Sequence, residues 1–120
     1  MIYLGDTVSN VIRLPSQREA LAFFSNDSIE EVERVMFRLA KGERMEYTGA
    51  MVHEHLQSGG KRLRARLALA TVTGLGGNYD AAVSWAASVE LLHNATLIHD
   101  DIQDGDKTRR GKPTAWVKHG

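Results

Sequence analysis

The run His99-Asp100-Asp101-Ile102-Gln103-Asp104, followed by Lys107-Thr108-Arg109-Arg110-Gly111-Lys112-Pro113, places three carboxylates and then two arginines at the end of a mostly apolar, helix-like stretch. Carboxylates repel phosphate, yet they hold Mg²⁺, which bridges to phosphate oxygens while neighbouring arginines take the remaining charge. Asp100 and Asp104 are four residues apart, so on a helix both project from one face toward the same ion, with Asp101 beside them. Such a cluster at a helix C-terminus opposes the macrodipole by a few tenths to about 1 kcal/mol. A cost accepted locally marks a site more readily than it marks a solvated helix end. The order of charges points to a diphosphate held through magnesium.

Arg109 and Arg110 offer planar forks for bidentate phosphate contact, with Gly111-Lys112-Pro113 tightening the turn behind them. Lys61 and Arg64, three apart, share a helix face just after Gly59-Gly60, which lets a phosphate approach backbone N–H groups at a helix start. Without that glycine pair they would read as an ordinary solvated face. His93 lies two turns before Asp100; in isolation a histidine in an apolar helix is a satisfied core residue. His53-Glu54-His55 is not a zinc-protease motif, because the residue four after His53 is Gln57. Gly59-Gly60-Lys61-Arg62 is not a nucleotide P-loop, because Arg62 stands where a Ser or Thr would bind magnesium.

These residues must be carried by helices. Every long periodic segment fits a period near 3.6, and only Thr7–Ile12 hints at a strand, so the fold class is all-α. A short helix follows Pro15. Asn26 or Asp27 caps the next, with an apolar stripe of Ile29, Val32, Met36 and Leu39 and a stop at Gly42. A further helix spans about Met45 to Leu56 and ends at Ser58-Gly59-Gly60. From Lys61 to Thr73, Leu63, Leu67 and Ala70 fall on one face, expected to be the core side of a basic-rimmed helix. Gly74-Leu75-Gly76-Gly77 breaks the pattern, and Asn78 or Asp80 caps a long helix reaching about Gln103. On that helix Ala86, Glu90, His93, Leu97, Asp100 and Asp104 form one stripe, and polar groups on a buried helix imply a cavity. Gly105 onward reads as a polar loop, and Thr114-Ala115-Trp116-Val117 opens a helix that is not completed.

The 120 residues fit one small domain. There is no cysteine, which excludes disulfides, thiolate metal sites and sulfur redox chemistry and suits a cytoplasmic location. Net charge is zero, but Glu30, Glu31 and Glu33, then Lys61 to Arg66, then the aspartates segregate by sign. The first ten residues do not resemble a signal peptide. Ala81–Ile98, the most apolar stretch, carries Ser84, Ser88, Glu90, His93 and Asn94, so it reads as a buried helix and not a membrane span. No nucleic-acid partner is expected.

Gly59-Gly60-Lys61-Arg62-Leu63-Arg64, Leu92 through Asp104 and Arg109-Arg110-Gly111-Lys112-Pro113-Thr114, in that order, closely resemble the trans-isoprenyl diphosphate synthase (polyprenyl synthetase) family over about Met45 to Gly120. The resemblance is to its geranylgeranyl and longer-chain members. It implies head-to-tail condensation of isopentenyl diphosphate with an allylic diphosphate (dimethylallyl, geranyl or farnesyl), inside an all-α helical barrel that dimerises. By that resemblance Lys61, Arg64, His93 and Arg110 hold isopentenyl diphosphate. Asp100 and Asp104, with Asp101 supporting them, bind Mg²⁺ on the allylic diphosphate, which Arg109 also contacts.

Two departures stand out. Ala65 replaces the proline usual in the family after Lys-Arg-Leu-Arg, and the family's second aspartate-rich motif is absent. The chain is therefore expected to be the N-terminal part of one synthase domain, inactive by itself. Two other functions compete: a noncatalytic synthase-like subunit that modulates a full-length partner, and a terpene cyclase, whose metal motif lacks the Gly-Gly-Lys-Arg signature. Small residues at Ala95 and Thr96, one turn before Asp100, favour a C20 or longer product over C15.

Overall fold

The computed structural model describes residues 16, 25–41 and 46–120. The expected helix after Pro15, the Thr7–Ile12 stretch, the Gly42 stop and the Met45 start lie outside these residues. The described chain is all-α apart from one small hairpin. Its elements are α1 (Asn26–Lys41), α2 (Glu46–Leu56), α3 (Leu63–Gly74), α4 (Tyr79–Asp104), β1 (Thr108–Arg109), β2 (Lys112–Pro113) and α5 (Ala115–His119).

The capping oxygen of α1 comes from Ser25, one residue before the expected pair: its Oγ accepts from the Ser28 N–H at 3.4 Å. Ile29, Val32 and Met36 are buried as the periodicity requires, but Leu39 is 57% exposed. The stripe advances by four from Met36 to Ala40, which packs against the core instead. Gly49 of α2 explains that choice. A Cβ there would stand 2.9 Å from the Lys41 carbonyl oxygen and 3.0 Å from that of Ala40, so only glycine lets the two helices meet so closely.

Asn78 caps α4 through Oδ1, which accepts from the Ala81 N–H at 2.9 Å. The buried face of α4 is built from Ala82, Val83, Ala86 and Ala87, and these small side chains let α3 approach with Ala65 and Leu69, both fully buried. The expected core face of α3 is thereby corrected: Leu63 and Leu67 are 65% and 64% exposed. Ala65 lies about 200° around the helix from Leu63. A small residue at the contact outweighs the larger leucines because it permits close backbone packing. Leu63, Leu67, Trp85 and Leu92 leave an apolar surface exposed on α3 and α4.

The segment read as a loop after α4 contains an antiparallel pairing, Thr108 opposite Pro113 and Arg109 opposite Lys112. Arg110 and Gly111 join the strands with φ of 51° and 75°. Two successive positive φ values are those of a type I′ turn, whose twist suits a two-residue hairpin. Thr114 is buried and holds the hairpin's return, its N–H donating to the Lys107 carbonyl and its Oγ1 to that of Asp106. Among the described residues no helix is long and apolar enough to cross a membrane.

Candidate active site

The loop between α2 and α3 orients the basic residues. Arg62 adopts a left-handed conformation, φ 49° and ψ 39°, that turns its side chain inward. There it is 4% exposed, donating from Nε to Glu33 Oε1 at 2.8 Å and from a terminal nitrogen to the Leu56 carbonyl at 3.2 Å. With Arg62 used as an internal anchor, Lys61 and Arg64 are left on the surface on either side of it.

The hairpin then separates its two arginines. Arg109, in β1, turns toward α4 and grips Asp101: Nε lies 2.9 and 3.0 Å from the two carboxylate oxygens and a terminal nitrogen lies 2.6 Å from Oδ1. Asp101 is almost fully buried, and this bond raises the Arg109 pKa. Arg110, at the turn, points the other way and donates to Ser58 Oγ at 3.3 Å. Its guanidinium lies against Gly60, where a Cβ would stand 3.2 Å from two of its nitrogens. Lys112 reaches the Gln57 carbonyl at 3.5 Å.

The result is a cleft of about 230 Å³ in which Lys61, Arg64, His93 and Arg110 meet around Gly60 and Glu90. Residues from a loop, two helices and a turn thus converge on one cationic hollow. Burial first, and then the nearby Arg64 charge, holds the His93 pKa below its ordinary value, so at neutral pH the ring is an uncharged donor and acceptor.

Asp100 and Asp104 are exposed on α4, and neither carboxylate makes a hydrogen bond or salt bridge among the described residues. Asp101 is separate from them, since its carboxylate is committed to Arg109. Asp100 and Asp104 fit a magnesium ion that takes two protein oxygens and completes its octahedron with water and phosphate. Among the described residues no group of three or more His, Asp or Glu side chains is arranged to hold a metal.

A smaller hollow of about 120 Å³ lies between α2, the hairpin and α5, lined by His55, Arg109, Lys112 and Lys118 among others. Glu54 links α2 to α5 there through Lys118 and through His119 Nε2 at 3.0 Å, and these two bonds lower its pKa. Among the described residues, buried His55 Nε2 and Asn94 Oδ1 meet no partner within hydrogen-bonding geometry; burial lowers the His55 pKa, and the neighbouring Asn94 side chain opposes that shift.

The family model for polyprenyl synthetase matches residues 45–120. The chain belongs to the polyprenyl synthetase family. A geranylgeranyl diphosphate synthase of Mycobacterium tuberculosis is 52% identical over 63 residues, 52% of this chain and 18% of that protein. A geranylgeranyl pyrophosphate synthase of Geoglobus acetivorans is 38% identical over 95 residues, 79% of this chain and 28% of its own. A geranylfarnesyl diphosphate synthase of Aeropyrum pernix is 48% identical over 75 residues, 61% of this chain and 23% of its own. The chain spans less than a third of the length of each of these relatives. No solved structure matches it.

Within this polyprenyl synthetase chain, the sequence reading assigned no site role to three residues that line the cleft, Arg62, Glu90 and Asn94. Glu90 alone carried a signal, as an acidic residue on a largely apolar helix one turn before His93.

Proposed function

We propose that these residues form the N-terminal part of one polyprenyl synthetase domain, a Mg²⁺-dependent prenyltransferase that condenses isopentenyl diphosphate with an allylic diphosphate. The observation that carries this reading is the convergence of Lys61, Arg64, His93 and Arg110 on one cleft, with His93 two helical turns from the first of the exposed carboxylates of Asp100 and Asp104. The cleft residues hold isopentenyl diphosphate by charge and by the uncharged His93 ring. Asp100 and Asp104 would hold Mg²⁺, which supplies positive charge to the leaving diphosphate as its carbon–oxygen bond breaks. Asp101 orients Arg109, which takes further charge from the same leaving group.

Names of relatives that specify geranylgeranyl and geranylfarnesyl products, together with the small Ala95 and Thr96 ahead of Asp100, support a C20 or longer product. The absence of cysteine suits the cytoplasm. The exposed Leu63, Leu67, Trp85 and Leu92 are where further helices of the domain, or the second subunit of a homodimer, pack. That same surface favours one other reading, a noncatalytic subunit seated on a full synthase, although such a subunit has no use for exposed carboxylates at Asp100 and Asp104.

Titration calorimetry tests the proposal on the chain as it stands. Isopentenyl diphosphate binds without metal, geranyl diphosphate binds only with Mg²⁺, and no condensation product forms from the pair. Failure of both ligands to bind overturns the reading.

A further inference from the structure

α3 starts without the usual devices of a helix N-terminus. Its N-cap residue, Arg62, is left-handed and makes no side-chain cap, and no acidic residue lies in its first turn. The third helical residue, Ala65, nevertheless has its N–H satisfied: it donates to Glu90 Oε1 at 3.0 Å, across the α3–α4 interface. This is one of the N–H groups that an N-cap side chain ordinarily takes. Both partners are buried, Ala65 fully and Glu90 at 3% exposure. A carboxylate at this place also complements the positive end of the helix dipole.

We propose that Glu90 is the positioning residue of the cationic cleft: supplied by α4, it caps α3 through the Ala65 N–H and so holds the Lys61–Arg64 turn in register with His93 and Arg110. The inference rests on the reading of that cleft as a diphosphate site. Three observations meet here. Glu90 lines the same hollow as the four basic or imidazole side chains. It stands one turn before His93 on α4 and raises the His93 pKa against the lowering effects of burial and Arg64. The bond also requires a backbone N–H at position 65, which Ala65 supplies and a proline there would lack. A proline would fix the φ of that first turn by its ring, whereas here the Glu90 bond fixes it by a tertiary contact.

The test uses the full chain and inorganic diphosphate as probe. Hydrogen exchange reads the Ala65 amide in the parent, Glu90→Gln and Glu90→Ala, and calorimetry reads binding in these three and in the double variant Glu90→Ala with Ala65→Pro. Glu90→Gln keeps an acceptor and removes a negative charge from the cleft, so Ala65 stays protected while diphosphate binds at least as tightly and with a steeper salt dependence, a change that a purely structural residue would not produce. Glu90→Ala loses the protection and weakens binding about tenfold, and Ala65→Pro restores most of that affinity. Parent-like binding or parent-like Ala65 protection in Glu90→Ala overturns the role. If Glu90→Ala does not fold, loss of Ala65 protection in Glu90→Gln overturns it instead. No diphosphate binding by the parent overturns the cleft reading itself, and the positioning role with it.

Discussion

Asp100 and Asp101 are neighbours of the same chemical type, and the structure predicts opposite consequences for losing each. Asp101 is 2% exposed and Arg109 26% exposed, joined by three contacts of 2.6 to 3.0 Å. Removing one member of a buried ion pair costs about 3–5 kcal/mol. Here the arginine regains some water and Asn keeps one acceptor, so Asp101→Asn should cost about 2–3 kcal/mol. At about 4–8 °C per kcal/mol for a domain of this size, the melting temperature falls by roughly 10–20 °C. Thermal melts by circular dichroism on Asp101→Asn, Arg109→Gln and the double variant give the coupling directly, expected to be at least about 1.5 kcal/mol. Asp100→Asn removes an exposed charge that opposes the helix dipole, so stability stays level or rises by up to about 0.5 kcal/mol. A melt of Asp101→Asn within about 2 °C of the parent, or a coupling under about 0.5 kcal/mol, would refute the claim that this pair clamps the hairpin.

Asp100→Asn combined with Asp104→Asn should leave the melting temperature intact while abolishing the Mg²⁺ dependence of geranyl diphosphate binding in calorimetry, since each charge pair near 4 Å is worth roughly 4 kcal/mol at an effective dielectric of 20. Gly60→Ala should cost about 1–2 kcal/mol in urea unfolding, because φ of 153° suits only glycine, and should weaken diphosphate binding by displacing the Arg110 guanidinium. The His55 pKa is lowered from its ordinary 6.5 by burial. Its neutral form therefore contributes stability that is present above pH 6.5 and is lost as pH falls through the lower folded value, while the unfolded chain takes up the proton first. Urea midpoints measured from pH 7.5 to 5 should fall, and His55→Gln should flatten that slope; an unchanged slope would remove His55 from the account.

The parts of the fold that were legible share one property, local determination. The Asn78 cap, the length of α4 and the buried trio of α1 follow from hydrogen-bond chemistry and period. What was illegible depends on contacts between elements. Leu63 and Leu67 looked like a core face because leucine is large, yet Ala65 and Leu69 took that place, since the small residues of α4 reward close approach. Leu39 gave way to Ala40 for the same reason at Gly49. In the site, residue types were readable and directions were not: nothing in Arg109-Arg110 says that a type I′ turn sends them to different partners, and nothing in Lys61-Arg62-Leu63-Arg64 says that the arginine after Lys61 turns inward. Glu90 stood in plain view on the polar stripe, but its partner is a backbone N–H, which no side-chain pattern announces.

The long α4 also acts as a ruler. His93 and Asp100 are seven residues apart on one uninterrupted helix, a separation of roughly 10 Å along its axis. These two stations are thus spaced by the backbone and not by any loop. Inserting or deleting a single residue between them would swing one station about 100° around the helix from the other. A whole turn added there would keep both stations on one face yet move them about 5.4 Å further apart, so direction and distance are preserved together only at the present length.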